Sequence, residues 1–174
     1  MPSTYELIKG ETIGSSAASY TFTAIPSTYT DLVLRGSSRS SAANVRADFY
    51  VLPNSETTSS TLGSRTTLRG FNGTAASSRA SNTFPFSNIF DDNGASSTSN
   101  TFASWEIYLP SYAGSADKVF SSFGASEDNA TNTVIVGVLA ELYRSSSAIS
   151  SLTVTSLSTF LSGSSFYLYG IKNS

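Results

Sequence analysis

The sequence predicts an all-β protein: a two-sheet antiparallel β-sandwich, jelly-roll-like, forming a single domain over 1–174 with long loops. Three observations carry this. First, about ten short segments alternate apolar with polar residues, with turn residues every 8–12 positions. Second, roughly a third of the residues are Ser or Thr, while only 13% are charged, about half the usual share. Thr suits strands, and Ser, Gly and Asn suit the turns between them. Third, Thr133–Tyr143 is a nearly unbroken apolar run. Val134, Val136, Val138, Ala140 and Leu142 lie on one side, and Ile135, Leu139 and Tyr143 on the other. Its β-branched start and Gly137 favour a strand, while Ala140-Glu141-Leu142-Tyr143-Arg144 leaves a helix open. A strand apolar on both sides is expected to be central and covered on both faces. On that reading Val136→Asp abolishes folding.

The elements follow in order. Tyr5–Ile13 carries alternating charges and reads as an edge strand. Ser19–Ile25 alternates through Tyr20, Phe22 and Ala24. Pro26–Thr30 connects to a strand at Asp31–Ser37. Asn44–Leu52 has the cleanest alternation, Val45, Ala47, Phe49 and Val51 against Asn44, Arg46, Asp48 and Tyr50, and predicts one strand with a wet face. Residues 53–100 read as a loop-rich, insertion-like region with short strand pieces at Thr66–Gly70 and Thr83–Phe90. Order returns at Thr101–Leu109, with Ala103, Trp105, Ile107 and Leu109 on one face, and continues at Asp117–Phe123. After a polar turn at Ser126–Ala130, the run Thr133–Tyr143 leads a meander through Ile149–Leu157 and Ser165–Lys172. Ile25–Val33 and Leu109–Val119 echo one another (apolar strand end, Pro-Ser, Tyr, Asp, new strand) and predict two similar sheet-crossing corners.

The chemistry in the chain is sparse. There is no Cys, so disulfides and thiolate metal sites are excluded, and no His, which removes the commonest base and metal ligand. A serine nucleophile would need Lys9, Lys118 or Lys172 as its base. Glu106 and Glu141 lie in strand patterns where a carboxylate pair could cleave sugars. The plainer reading is a wet face for Glu106 and a strand end near Arg144 for Glu141. Asp91-Asp92-Asn93-Gly94 and Glu127-Asp128-Asn129 offer oxygen ligands but lack the full calcium-loop pattern, so they read as Asx turns. Arg35 and Arg39 read as a solvated strand end, or as an anion or partner contact. Tyr29, Tyr50, Tyr112, Trp105, Tyr167 and Tyr169 could stack on sugars or fill an interface, with Trp105 expected in the core. Asn72-Gly73-Thr74 and Asn129-Ala130-Thr131 match glycosylation sequons. No catalytic, metal or cofactor residue is assigned, and no cofactor is expected. The net charge of −2 and the absence of a basic stretch argue against nucleic acid. No apolar run reaches membrane-span length, so no membrane is expected. The single Met is Met1, which reads as a chain without a processed leader.

Several blocks are similar, in this order, to a family of small virion proteins of tailed phages infecting marine and freshwater bacteria, cyanophages among them. They are Tyr5–Ile8, Gly14–Ala18, Phe22–Arg35, Glu106–Pro110 and Gly163–Ile171. The likeness fades between 53 and 100. It implies a non-enzymatic structural protein of the particle surface, made in the host cytoplasm. The expected role is a capsid decoration (cement) protein that binds the major capsid protein or other virion proteins as a homo-oligomer, with a trimer as the expected state. A tail or tail-fibre component, with a host-glycan-binding module, is the alternative. Loops in 53–100 are the expected contacts.

Overall fold

Apolar and small residues alternating at period two, punctuated by Asn-Gly, Pro-Ser and Gly-Ser turns, favour extended backbone over helix. The computed structural model describes residues 4–57, 63–83, 92–128 and 134–172, and every regular element in them is a strand. Thirteen strands form among them: β1 (Tyr5–Thr12), β2 (Ala17–Phe22), β3 (Asp31–Ser38), β4 (Arg46–Ala47), β5 (Phe49–Pro53), β6 (Gly63–Phe71), β7 (Thr74–Thr83), β8 (Asp92–Asn93), β9 (Ala103–Pro110), β10 (Lys118–Glu127), β11 (Val134–Tyr143), β12 (Leu152–Phe160) and β13 (Ser165–Ile171).

An eight-stranded antiparallel sheet runs in the order β1-β13-β3-β9-β10-β11-β6-β7. A three-stranded sheet, β2-β12-β5, and the short β4-β8 pair complete the structure. The inner face of the large sheet carries Leu32, Leu34, Ile107, Leu109, Phe120 and Leu139, which share one core with Phe22, Phe49, Val51, Leu152 and Val154 of the small sheet. Rings lock the layers: Phe49 lies 4.9 Å from Trp105, and Phe160 lies 5.0 Å from Phe166. Trp105 is 3% exposed, as its apolar neighbours predicted.

Two strand glycines are filled by aromatic rings from the neighbouring strand. Gly36 pairs with Trp105 in register, and an added Cβ there would overlap the indole. Gly10 pairs with Tyr167, whose ring lies over it. A ring placed over a glycine restores the packing that the missing side chain forfeits.

Several expectations are corrected. The run 133–143 is a strand, but β11 alternates: Ile135, Leu139 and Tyr143 are buried, whereas Val134, Val136 and Val138 are 42–48% exposed. Its second apolar set therefore faces outward, and no further layer covers it among the described residues. The expected meander does not form. β12 joins the small sheet, and β13 inserts between β1 and β3. Asn44–Leu52 is two strands in two sheets, β4 and β5. The 53–100 region contains two long strands, β6 and β7, joined by a tight turn in which Asn72 (φ 47°) and Gly73 (φ 79°) are both left-handed. Asn-Gly is the residue pair such a hairpin turn favours, and the sequon reading of Asn72 overlooked it. The pieces Thr83–Phe90 and Asn129–Ala130 fall almost wholly outside the described residues.

The echoed segments are not two sheet-crossing corners. Pro26–Thr30 does pass from the small sheet to the large one, but Ser111–Asp117 links β9 to β10 within the large sheet. The two segments interlock instead. Ser111 N donates to Asp31 Oδ1 at 2.9 Å, and the Tyr112 hydroxyl donates to the Pro26 carbonyl. Tyr112 is fully buried.

Candidate interaction surface

Strand register, read across the sheet, places every second residue of each strand on the outer face. One row runs Gly10, Tyr167, Arg35, Glu106, Phe123, Val138, Leu68, Ser77 from β1 to β7. The neighbouring row is built of small residues over most of its length: Thr12, Ser165, Ser37, Ser104, Ala125, Val136, Gly70, Ala75. The outer face therefore has a polar, aromatic half over β13, β3 and β9, and an apolar half over β10, β11 and β6.

In the polar half, Arg35 Nε donates to Glu106 Oε2 at 2.6 Å. Both side chains stay about half exposed, so the pair contributes little stability but has no net charge. The Arg35 guanidinium also lies 5.7 Å from the Tyr169 ring and 6.0 Å from Tyr5. A depression of about 400 Å³ opens beside it, bounded by Tyr167, Phe123 and the ion pair and floored by Ser37, Ser104 and Ser165. Tyr108 donates to Asp31 Oδ2 at 2.7 Å. That bond, then burial, pushes its phenol pKa up to about 12. In the apolar half, Leu68, Val119, Phe123, Val134, Val136 and Val138 are each 42–58% exposed. A depression of about 250 Å³ lies among Leu68, Gly70, Ala75, Val136 and Val138.

The two carboxylates considered for sugar cleavage do not converge. Glu106 is on the outer face, whereas Glu141 is 2% exposed on the inner face, in register between Phe120 and Arg65. It lies near the end of β11, as expected, but points inward.

The two acid-rich turns do meet, in a buried polar network. Asn93 Nδ2 donates to the Glu127 carbonyl at 2.9 Å, Ser126 Oγ donates to Asn93 Oδ1 at 2.6 Å, and Thr98 N donates to the Asp128 carbonyl at 3.1 Å. Trp105 Nε1 donates to Ser38 Oγ at 2.9 Å, and Ser38 in turn donates to Asp92 Oδ1. Among the described residues no three acids gather as a metal-holding group. Asp91 and Asn129 lie outside the described residues, and with them the second sequon.

Arg39 is not solvated. It is 6% exposed, and its guanidinium donates to the carbonyls of Thr98 (2.6 Å), Thr101 (3.0 Å), Ala95 (3.3 Å) and Ser97 (2.8 Å). Arg39 is thus the post around which 95–101 winds. Gly94 is required there, because a Cβ would collide with the Asn44 backbone.

The lysines are dispersed. Lys9 lies over the Tyr20 ring, and Lys172 pairs with Glu6 at 3.1 Å. Lys118 is buried and donates to the carbonyls of Ser145 and Ser147. Burial holds its pKa below the usual lysine value. Tyr29 lies over Gly170, and Tyr50 is half-buried on β5. Of the aromatic candidates, Tyr167 and Tyr169 reach the outer face of the large sheet. Sequence reasoning missed its apolar half. The signal was present in the two apolar sets of 133–143, one of which a single covering layer cannot bury. Compared with known proteins, the chain matches no protein-family model and no curated sequence.

Proposed function

We propose that this chain is a non-enzymatic virion structural protein of a tailed phage, a capsid decoration protein that binds the head surface as a homo-oligomer and stabilises the shell. The observation that supports it best is the outer face of the large sheet, which offers a broad, low-charge surface. A protein that acts by coating needs extended complementary contact more than a deep pocket. The blocks resembling phage virion proteins map onto this frame, with β1, β3, β9 and β13 adjacent in one sheet. We read the architecture as a jelly-roll-like two-sheet sandwich. The shared core of the two main sheets supports this, as does the chain's repeated passage between them.

The test is re-addition. Purified protein added to expanded capsids stripped of it should rebind and raise their resistance to heat. Labelling on intact particles should place it on the head, with copies in the hundreds (an order of magnitude set by shell symmetry). No rebinding, or about three to eighteen copies at the tail, would sink the proposal.

A second reading, a tail or fibre module that binds host glycans, is supported by the depression beside Arg35 and Glu106. Aromatic rings and a neutral donor–acceptor pair suit a polyhydroxylated ligand. Binding on a glycan array that Tyr167→Ala removes would favour it.

A further inference from the structure

We propose that the apolar half of the outer face is covered by a second copy of this chain, about a two-fold axis running along β11. This deepens the homo-oligomer part of the reading above by naming its surface.

The exposed apolar area matches a dimer interface. Leu68, Val119, Phe123, Val134, Val136 and Val138 are each about half exposed and together present roughly 500 Å² of apolar surface, as large as a monomer's biggest patch ordinarily is. A stable interface covers about 800 Å² per partner, and in homodimers about 65% of it is apolar. The two figures agree.

The patch is also constantly exposed. The patch lies on paired, regular strands and is present whenever the chain is folded. An exposed apolar sheet surface drives aggregation unless its cover is present at equal concentration. A second copy meets that condition at synthesis.

The patch is complementary to itself. β11 has β10 and β9 on one side and β6 and β7 on the other. Rotation about an axis along β11 lays β10 of one copy over β6 of the second, and β9 over β7. Phe123, Val138 and Leu68 share one row. Phe123 then faces the second copy's Leu68, and Val138 faces its own equivalent. Outside this apolar centre lie the Arg35–Glu106 pair on one side and, on the other, Arg79 on the outer face of β7, one row along. The rotation brings Arg79 near the second copy's Glu106 carboxylate.

The chain has no cysteine, so a single introduced one reads the geometry. Val138→Cys should cross-link to a dimer with a short bis-maleimide, which spans the roughly 10 Å between packed sheet faces. Leu157→Cys, a more exposed position on β12 of the small sheet, should not. In sedimentation equilibrium the unmodified chain should show twice its sequence mass. Val138→Asp should raise the dissociation constant at least about 100-fold, because a charge is buried without a partner. A monomeric or trimeric mass for the unmodified chain, or equal cross-linking of the two cysteine variants, would overturn the proposal. The cysteine comparison decides the matter if Val138→Asp fails to fold. A dimer that is absent from particles would sink the virion reading and leave this inference standing. A monomer found on particles would do the reverse.

Discussion

Gly36→Ala tests how the two layers are held together. Gly36 sits on β3 between β13 and β9, hydrogen-bonded on both sides. An added methyl would fall on Trp105 Cζ2 and Cε2, far inside the 3.4–4 Å of ordinary contact. The indole cannot easily yield. Its Nε1 is tied to Ser38 Oγ at 2.9 Å, and its ring is wedged between Phe49 (4.9 Å) and Phe166 (5.9 Å). Overpacking of this kind costs about 1–3 kcal/mol. Breaking the Trp105–Ser38 bond in a buried network adds about 1–3 kcal/mol. Removing a glycine's unfolded-state entropy returns only about 0.4–1 kcal/mol. The net loss is about 2–5 kcal/mol, which for a chain of this size lowers Tm by roughly 5–15 °C. The assay is thermal unfolding by circular dichroism, together with emission from the single tryptophan, which should shift to the red as the indole is displaced. Gly14→Ala, with nothing within 4 Å of its added Cβ, should change Tm by no more than a degree or two. If Gly36→Ala melts with the parent and its emission is unchanged, Trp105 is not packed on Gly36 and the account of the interlayer contact is wrong.

Four further outcomes follow from the geometry. Leu139→Ala, at a 2% exposed position, should cost about 2–5 kcal/mol. Val136→Asp, 44% exposed on the opposite face, should still fold, as read by circular dichroism in dilute solution, contrary to the sequence expectation. Asp31→Asn should bring the Tyr108 phenol from about 12 down toward the ordinary tyrosine value, measured by phenolate absorbance. The sign of the linkage is fixed: a phenol whose folded pKa is raised contributes stability that is complete below about pH 10 and is lost as pH rises toward 12. Alkaline unfolding of the Asp31→Asn variant should therefore be less steep in that window. Arg39→Met removes every guanidinium bond to the 95–101 carbonyls and should cost about 3 kcal/mol; limited proteolysis should then cut first between 94 and 101, and cutting elsewhere would count against Arg39 as the organising post.

The sequence alone determined that the chain is built of strands, because alternation at period two and Thr-, Val- and Ser-rich composition leave helices little to favour them. It also determined the edge position of β1, from its alternating charges, and the burial of Trp105, from its apolar neighbours at two-residue spacing. It did not determine which face of a strand is covered. In β11 both alternate sets are apolar, and only the packing of the small sheet against the large one shows that Val134, Val136 and Val138 point away from the core while Glu141 points into it. Nor could it show that Asp31 caps the turn at Ser111, or that Arg39 gathers four carbonyls some sixty residues along the chain. Strand type is a local property, written in two-residue spacing. Sheet order, facing and long-range polar pairing depend on which distant segments meet, and that is decided by the packing of the whole chain.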